Sequence, residues 1–399
     1  MKYKFVVMFL IVLCGAISIA VFNPIIGPLS RNLGLSEFQS GCLVSVTGLF
    51  WLLGGYFWEK ITFLSSKRML ASVMFMYFAT VVAFALLADY AGTLTHGSPG
   101  FFWIFLLLRA VSGFFFGGIP AKAQAYVMSW TTQETRTRGM ALFGTANGLG
   151  FVLGPAMSGV MAAIGLTAPM YAAAALLFVM IIFLWISIPN EAGQQKERSV
   201  SSLSPLDPRI RFYLGVGLLL AVTLNILQVT IGFYVQDSLG FDAQAAAQLI
   251  GYGLAAAGVM VVASQIVASK YLKRRPGWML RLGLLIVALG LFGLLAFIRM
   301  AYVEFIVLGI GFGFALLGYS ASASVAVRDY EQRSIASYVT ALQGSGAFLG
   351  PVAGTALYTA HMAAPYSVCA LLIGFSFLLA FAKRNAAIPS PSTIGGGVE

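Results

Sequence analysis

The stretch GLGFVLGPAMSG at 148–159 decides the fold, because it returns as GSGAFLGPVAG at 344–354, an offset of 196 residues. An amide stands directly before each glycine cluster, Asn147 in the first copy and Gln343 in the second. The same offset relates Ala168-Pro169 to Ala364-Pro365, and each pair opens an apolar run. Nearer the N-terminus, NLGLS at 32–36 is echoed by SLGFD at 238–242. Weak internal symmetry of this kind marks membrane transport folds made of two similar halves, with the substrate site at their interface.

Outward from these repeats the chain is a series of apolar runs. A spanning helix needs about 20 such residues. Twelve runs qualify: 5–28, 38–58, 69–89, 101–128, 139–164, 169–188, 212–236, 244–269, 278–298, 301–326, 335–360 and 365–382. Only Arg299 and its neighbours divide the ninth run from the tenth. The polar stretch PNEAGQQKERSVSSLSPLDP at 189–208 leaves six runs on either side. The expectation is an all-α integral membrane protein with 12 transmembrane helices in two pseudo-symmetric six-helix bundles. The first bundle would occupy 1–188 and the second 209–384, joined by a flexible cytoplasmic linker at 189–208 and followed by a disordered tail at 385–399.

Composition agrees. Hydrophobic residues make up 59% of the 399 and charged residues 9%, against about 25% charged in a soluble domain. So few charges cannot cover a water-facing surface. The net charge of +11 sits in short loops, without the aromatic-interleaved basic patch that would bind nucleic acid. With the N-terminus inside, twenty basic residues fall on the inside and only Arg31 and Arg299 outside. The positive-inside rule then puts both termini in the cytoplasm. Met1–Lys4 followed by an apolar stretch, with Ser18-Ile-Ala20, has the outline of a cleaved signal. The apolar run continues to Ile26, however, and the repeat needs a first helix. Cys14, Cys42 and Cys369 lie far apart, with neither disulfide nor metal spacing. No nucleotide fingerprint or nucleophile–base pair appears, so neither a cofactor nor enzyme chemistry is expected. Topology can be tested in a background lacking the three cysteines. A cysteine at Ser98 should react with an impermeant thiol reagent from outside, and one at Ser201 only after permeabilisation.

The glycine stretch resembles the major facilitator superfamily, and within it the 12-helix drug:proton antiporters, over nearly the whole chain. Their fifth-helix motif G-x-x-x-G-P-x-x-G-G is met by Gly150, Gly154, Pro155, Ser158 and Gly159, with serine at the first of the final pair. Gly150, Gly154 and Ser158 form a small-residue ridge that lets a neighbouring helix approach closely, and Pro155 removes one backbone donor. The family's loop motif G-x-x-x-D-R-x-G-R-K is followed more loosely by Gly55, Glu59, Lys60, Lys67 and Arg68. By resemblance these residues would latch the cytoplasmic helix ends in the outward-open state. The loop here is longer, with Glu for Asp and no matching glycine.

Arg109, four residues before Gly113, fits the family's fourth-helix arginine, which is associated with proton coupling or cavity polarity. It lies about 12 Å into its helix, where a charge costs at least about 2.5 kcal/mol and needs a partner. Lys122 follows on the same run as an interface anchor or a cavity residue, and Glu304 stands near the outer edge of the tenth. The carboxylate that many such antiporters carry in the first or fourth helix is absent; the first run offers Asn23. Further cavity candidates are Asn147, Asn225, Gln228, Tyr234, Tyr319, Tyr338 and Gln343. The resemblance implies a monomeric, proton-coupled exporter of a small amphiphilic molecule, working by alternating access in a bacterial inner membrane. An uptake symporter for a small anion or metabolite is the alternative on the same fold. If Arg109 and Lys122 share one cavity without balancing acid, the cargo would be anionic or zwitterionic, such as a siderophore, organic acid or drug.

Overall fold

The first apolar run folds as two helices rather than one, α1 (Lys2–Ala20) and α2 (Asn23–Asn32). Pro24, in the first turn of α2, lacks the N–H that a continuous helix would use at this point, whereas Pro28 is carried inside α2. The remaining runs form α3 (Glu37–Lys60), α4 (Ser66–Gly92), α5 (Phe101–Ser129), α6 (Gln133–Met161), α7 (Ala168–Ser187) and α8 (Arg211–Leu239). They continue as α9 (Ala243–Tyr271), α10 (Pro276–Ala296), α11 (Ala301–Val325), α12 (Gln332–Ala360) and α13 (Ala364–Ala382). A 3-10 turn at Ile298–Met300 divides α10 from α11. This computed structural model describes residues 2–60, 66–93, 100–131, 133–188, 203–271, 276–328 and 331–382, and these contain no strand. With α1 and α2 sharing one crossing, the described residues form twelve spans. Ten are long and apolar enough to cross a bilayer by length and composition alone. The other two, α6 and α12, are 29 residues each; they carry the repeated glycine motif, whose Gly, Ser, Thr and amide residues lower their hydropathy.

Packing repeats between the halves. Helix α1 packs on α6 as α8 does on α12, α3 on α5 as α9 on α11, α4 on α5 as α10 on α11, and α4 on α7 as α10 on α13. Each half has its own apolar core. One includes Ile11, Leu70, Phe105 and Leu177, and the other Leu220, Leu284, Phe305 and Ile373. Left-handed glycines, Gly34 at φ 69° and Gly240 at φ 67°, stand after α2 and α8 at equivalent places in the repeat. They turn the chain where a side chain would be strained.

The expected linker differs at its end. Residues 189–202 lie outside the described residues, as does the tail at 385–399, but Leu203 is buried against Ile210, Leu214, Ala323 and Ile335. Tyr338 donates a hydrogen bond to the Leu203 carbonyl. Arg209 bonds Asp207 at 2.8 Å and Glu331 at 3.0 Å. Hydrogen bonds from Arg209 hold both carboxyls below their usual range. This part of the presumed linker is therefore fastened to α8, α11 and α12.

Candidate functional site

The halves meet along paired helices at the end of the bundle opposite both termini. Helix α2 packs on α8 and α9, α3 on α12, and α6 on α9. Each seam is made of small residues. A Cβ built on Gly27 would stand 3.2 Å from the Gly232 Cα, and one on Gly159 2.9 Å from the Tyr252 nitrogen. Gly41 abuts Thr355, and Gly48 the Ala347 backbone. Ser45 Oγ donates to the Phe348 carbonyl at 2.6 Å and accepts from the Val352 N–H at 3.2 Å. Asn23 Nδ2 donates to Gln228 Oε1 at 2.9 Å, which ties the break in the first span to α8.

Towards the termini the seams thin. On α6 Val152 meets Gly258 of α9, and at Gly148 and Gly144 a Cβ would meet nothing within 4 Å; on α12 Gly344 still lies against Leu52 of α3. Helix α1 packs on α5, α6 and α7 of its own half. The molecule is thus closed at the far end and splayed at the end carrying the termini. Asn147 on α6 is half-buried and Gln343 on α12, beside the Gly344–Leu52 contact, is exposed.

The glycine motif has two working faces. Gly150 lies against Ala16, and a Cβ on Gly154 would stand 2.7 Å from the Ala20 Cβ and 2.9 Å from the Ile17 carbonyl, both on α1. Ser158 is fully buried. Pro155 and Gly159 instead face Gly251 of α9 in the other half. The second copy packs alike, with Gly346 on Ala221 and Gly350 on Asn225 of α8. Asn225 Nδ2 is spent on the Ala221 carbonyl at 2.8 Å.

Arg109 is 7% exposed and lies inside the N-terminal half, not between the halves. Its guanidinium sits 3.9 Å from the centroid of Phe22, at the break between α1 and α2. Nε donates to the Leu43 carbonyl at 3.4 Å. It lines a small cavity with Ser18, Thr80 and Ser112. Gly113 serves packing: a Cβ there would come within 2.9 Å of the Thr47 Cα. Lys122 is also buried. Thirteen residues at about 100° each turn it roughly 220° around α5 from Arg109, and about 20 Å along it. The two cations therefore stand on different faces of α5, and the condition that they share one cavity is not met on this helix.

Other expected cavity residues also belong to the interiors of the halves. Tyr234 packs on the Tyr366 ring at 4.9 Å. Tyr319 is buried against Gly217. Tyr338 lies at the terminal end on Leu203. Glu304 lies over Gly293 of α10. Among the loop-motif residues, Gly55 faces Gly117 of α5. Lys60 donates to the Tyr56 hydroxyl, and Lys67 to the Trp185 carbonyl at 2.7 Å. Arg68 is exposed, and the Glu59 side chain lies outside the described residues.

One cluster went unread in the sequence. At the closed end Arg31 holds Asp237 through two bonds of 2.6 and 2.8 Å and Glu37 through one of 3.0 Å. Tyr358 donates to the same Asp237 carboxylate at 2.5 Å. The signal was available: Arg31 and Asp237 each directly precede the repeated segments at 32–36 and 238–242. They are equivalent positions with opposite charge.

The profile of the Major Facilitator Superfamily matches residues 8–351. The chain belongs to the major facilitator superfamily. It is a multi-pass membrane transporter for a small molecule, not an enzyme. Among curated relatives of this superfamily member, the class G tetracycline resistance protein of Vibrio anguillarum is 28% identical over 90% of this chain and 91% of its own length. The class C protein of Escherichia coli is 26% identical over 69% of this chain and 72% of its own. A bacterial homologue of the human lysosomal transporter Spinster, in an inward-facing and unoccupied conformation, shares the fold with a TM-score of 0.73. It is 14% identical over 98% of this chain and 99% of that one.

Proposed function

We propose that this superfamily member exports a small amphiphilic molecule from the bacterial cytoplasm in exchange for protons, by rocking its two halves. The observation that carries this reading is the two-faced glycine motif, with Gly150 and Gly154 seated on α1 and Gly159 on α9 of the opposite half. A helix in close contact with both bodies transmits motion between them. The tetracycline resistance relatives support export. The excess of basic residues supports a cytoplasmic position for the splayed end and both termini, and on that orientation the conformation faces inward. Lys60 and Lys67 then bond within their own half, as a disengaged latch would. Asn147 and Gln343 are placed to meet cargo as it enters between α6 and α12. Arg109 finds its compensation in Phe22 and Leu43, so its burial no longer argues for an anionic cargo.

Inside-out vesicles holding a proton gradient test the direction. Adding a tetracycline-like amphiphile should release protons from the lumen while the amphiphile accumulates there. Proton movement in the same direction as the amphiphile would replace export by uptake symport, and no coupled movement would remove proton coupling.

A further inference from the structure

We propose that Asp237 is a proton-binding site on the outer face, and that a proton taken up there opens the outer gate. The inference rests on the alternating-access reading above but not on its direction or cargo. Asp237 belongs to α8, and Arg31 ends the first span in the other half, so their paired bonds of 2.6 and 2.8 Å cross the interface at equivalent positions of the repeat. Arg31 also lies over the Phe233 ring at 5.0 Å. When the outer ends part, the partners divide unequally. Arg31 leaves with Glu37, already bonded to it at 3.0 Å, and keeps a counter-charge. Asp237 keeps only Tyr358 of α12, a neutral donor. An adjacent cation favours the ionised carboxylate, and its departure in an apolar setting favours the protonated one. Proton binding therefore pulls the equilibrium towards the open outer end, because a ligand shifts a two-state equilibrium by its differential affinity. The Asp237 side chain is 35% exposed, so water delivers the proton directly.

Other titratable groups around α8 do not fill this role. Tyr366 of α13 is bonded to Thr230 at 3.0 Å, and Tyr234 stacks on Tyr366. Asp242 caps α9 through the Ala245 N–H at 2.7 Å. His361, at the end of α12, accepts from the Ala363 N–H at 3.1 Å. Arg299, in the turn before α11, makes no bond to Asp237. None of these links one half to the other.

The test is a distance across the outer gate. Phe38 and Phe241 are exposed on either side of it. Cysteines at these two positions, in the full-length chain lacking its native cysteines, accept spin labels. At about pH 8 the native pair should give one short distance, and at about pH 5 a longer population should become the majority. Asp237→Asn should show the long population at both pH values. Tyr358→Phe removes a bond that favours the carboxylate, so its opening should begin at higher pH. Glu37→Gln strands Arg31 on opening and should require more acid. His361→Gln should behave as the native chain. A native distance that ignores pH overturns the proposal, as does an Asp237→Asn variant that still responds or a response lost in His361→Gln. If Asp237→Asn does not fold, an unshifted Tyr358→Phe midpoint overturns it as well. Because the readout involves neither cargo nor a gradient, it fails or succeeds separately from the export assay.

Discussion

A Gly154→Leu variant should lose transport while still accumulating in the membrane. A Cβ at this position would stand 2.7 Å from the Ala20 Cβ and 2.9 Å from the Ile17 carbonyl, closer than packed carbons and backbone tolerate. Either α1 or α6 must move aside. Overpacking of this kind costs about 1–3 kcal/mol, and the same free energy shifts a conformational equilibrium by roughly 5- to 150-fold. Because α6 also bears on α9, the displacement reaches the other half. Gly148→Leu is the control. It changes hydropathy equally, but a Cβ there meets nothing within 4 Å, so transport should remain near normal. Efflux rates normalised to the amount of protein in the membrane decide the matter. Normal transport by Gly154→Leu, or equal loss in both variants, would separate function from close packing of α6 on α1.

The second large effect is expected at Arg109. Arg109→Gln should lower transport at least tenfold, and Arg109→Lys should retain part of it. The guanidinium stacks on Phe22 and bonds the Leu43 carbonyl. Glutamine loses the charge and the cation–π contact; lysine keeps the charge and can remain over the ring. Phe22 stands beside Asn23, which bonds Gln228 of the other half. Arg109 thus acts on the break in the first span and, one residue on, on a contact between the halves. Anionic and cationic amphiphiles distinguish this from direct cargo recognition. A positioning role predicts loss of export for both. Loss confined to anions would return Arg109 to the cargo site.

The legible parts of the fold were those written in local pattern or repetition. The copies at 148–159 and 344–354 identified α6 and α12 as equivalent spans, although their hydropathy is lower than that of the other ten. The break between α1 and α2 was missed, although Pro24 signals it, because the residues around it are apolar enough to read as one run. The candidate site was less legible. Position along a run says how deep a side chain lies but not which neighbour it meets. Arg109 was therefore read by its place along the run, without sight of Phe22 and Leu43, which surround it. Tyr234 and Tyr319 were credited to the cavity, yet each fills the inside of its own half. Pairs such as Asn23 with Gln228 and Arg31 with Asp237 depend on how two rigid bodies meet, which no local periodicity encodes.

The modest hydropathy of α6 and α12 also bears on how the protein is made. A segment interrupted by Gly, Ser, Thr and amides gains little by leaving the translocation channel for lipid alone. It gains much more by settling against a helix already there. For α6 that helix is α1, with Ala16 and Ala20 shaped to receive Gly150 and Gly154. For α12 it is α8, with Ala221 and Asn225 facing Gly346 and Gly350. In both cases the receiving helix is synthesised first, with three spans between the two partners in each half. The oldest span of each half thus becomes the docking partner for its fifth, and a contact between distant parts of the chain is made before the last, strongly apolar span of each half, α7 or α13, is added.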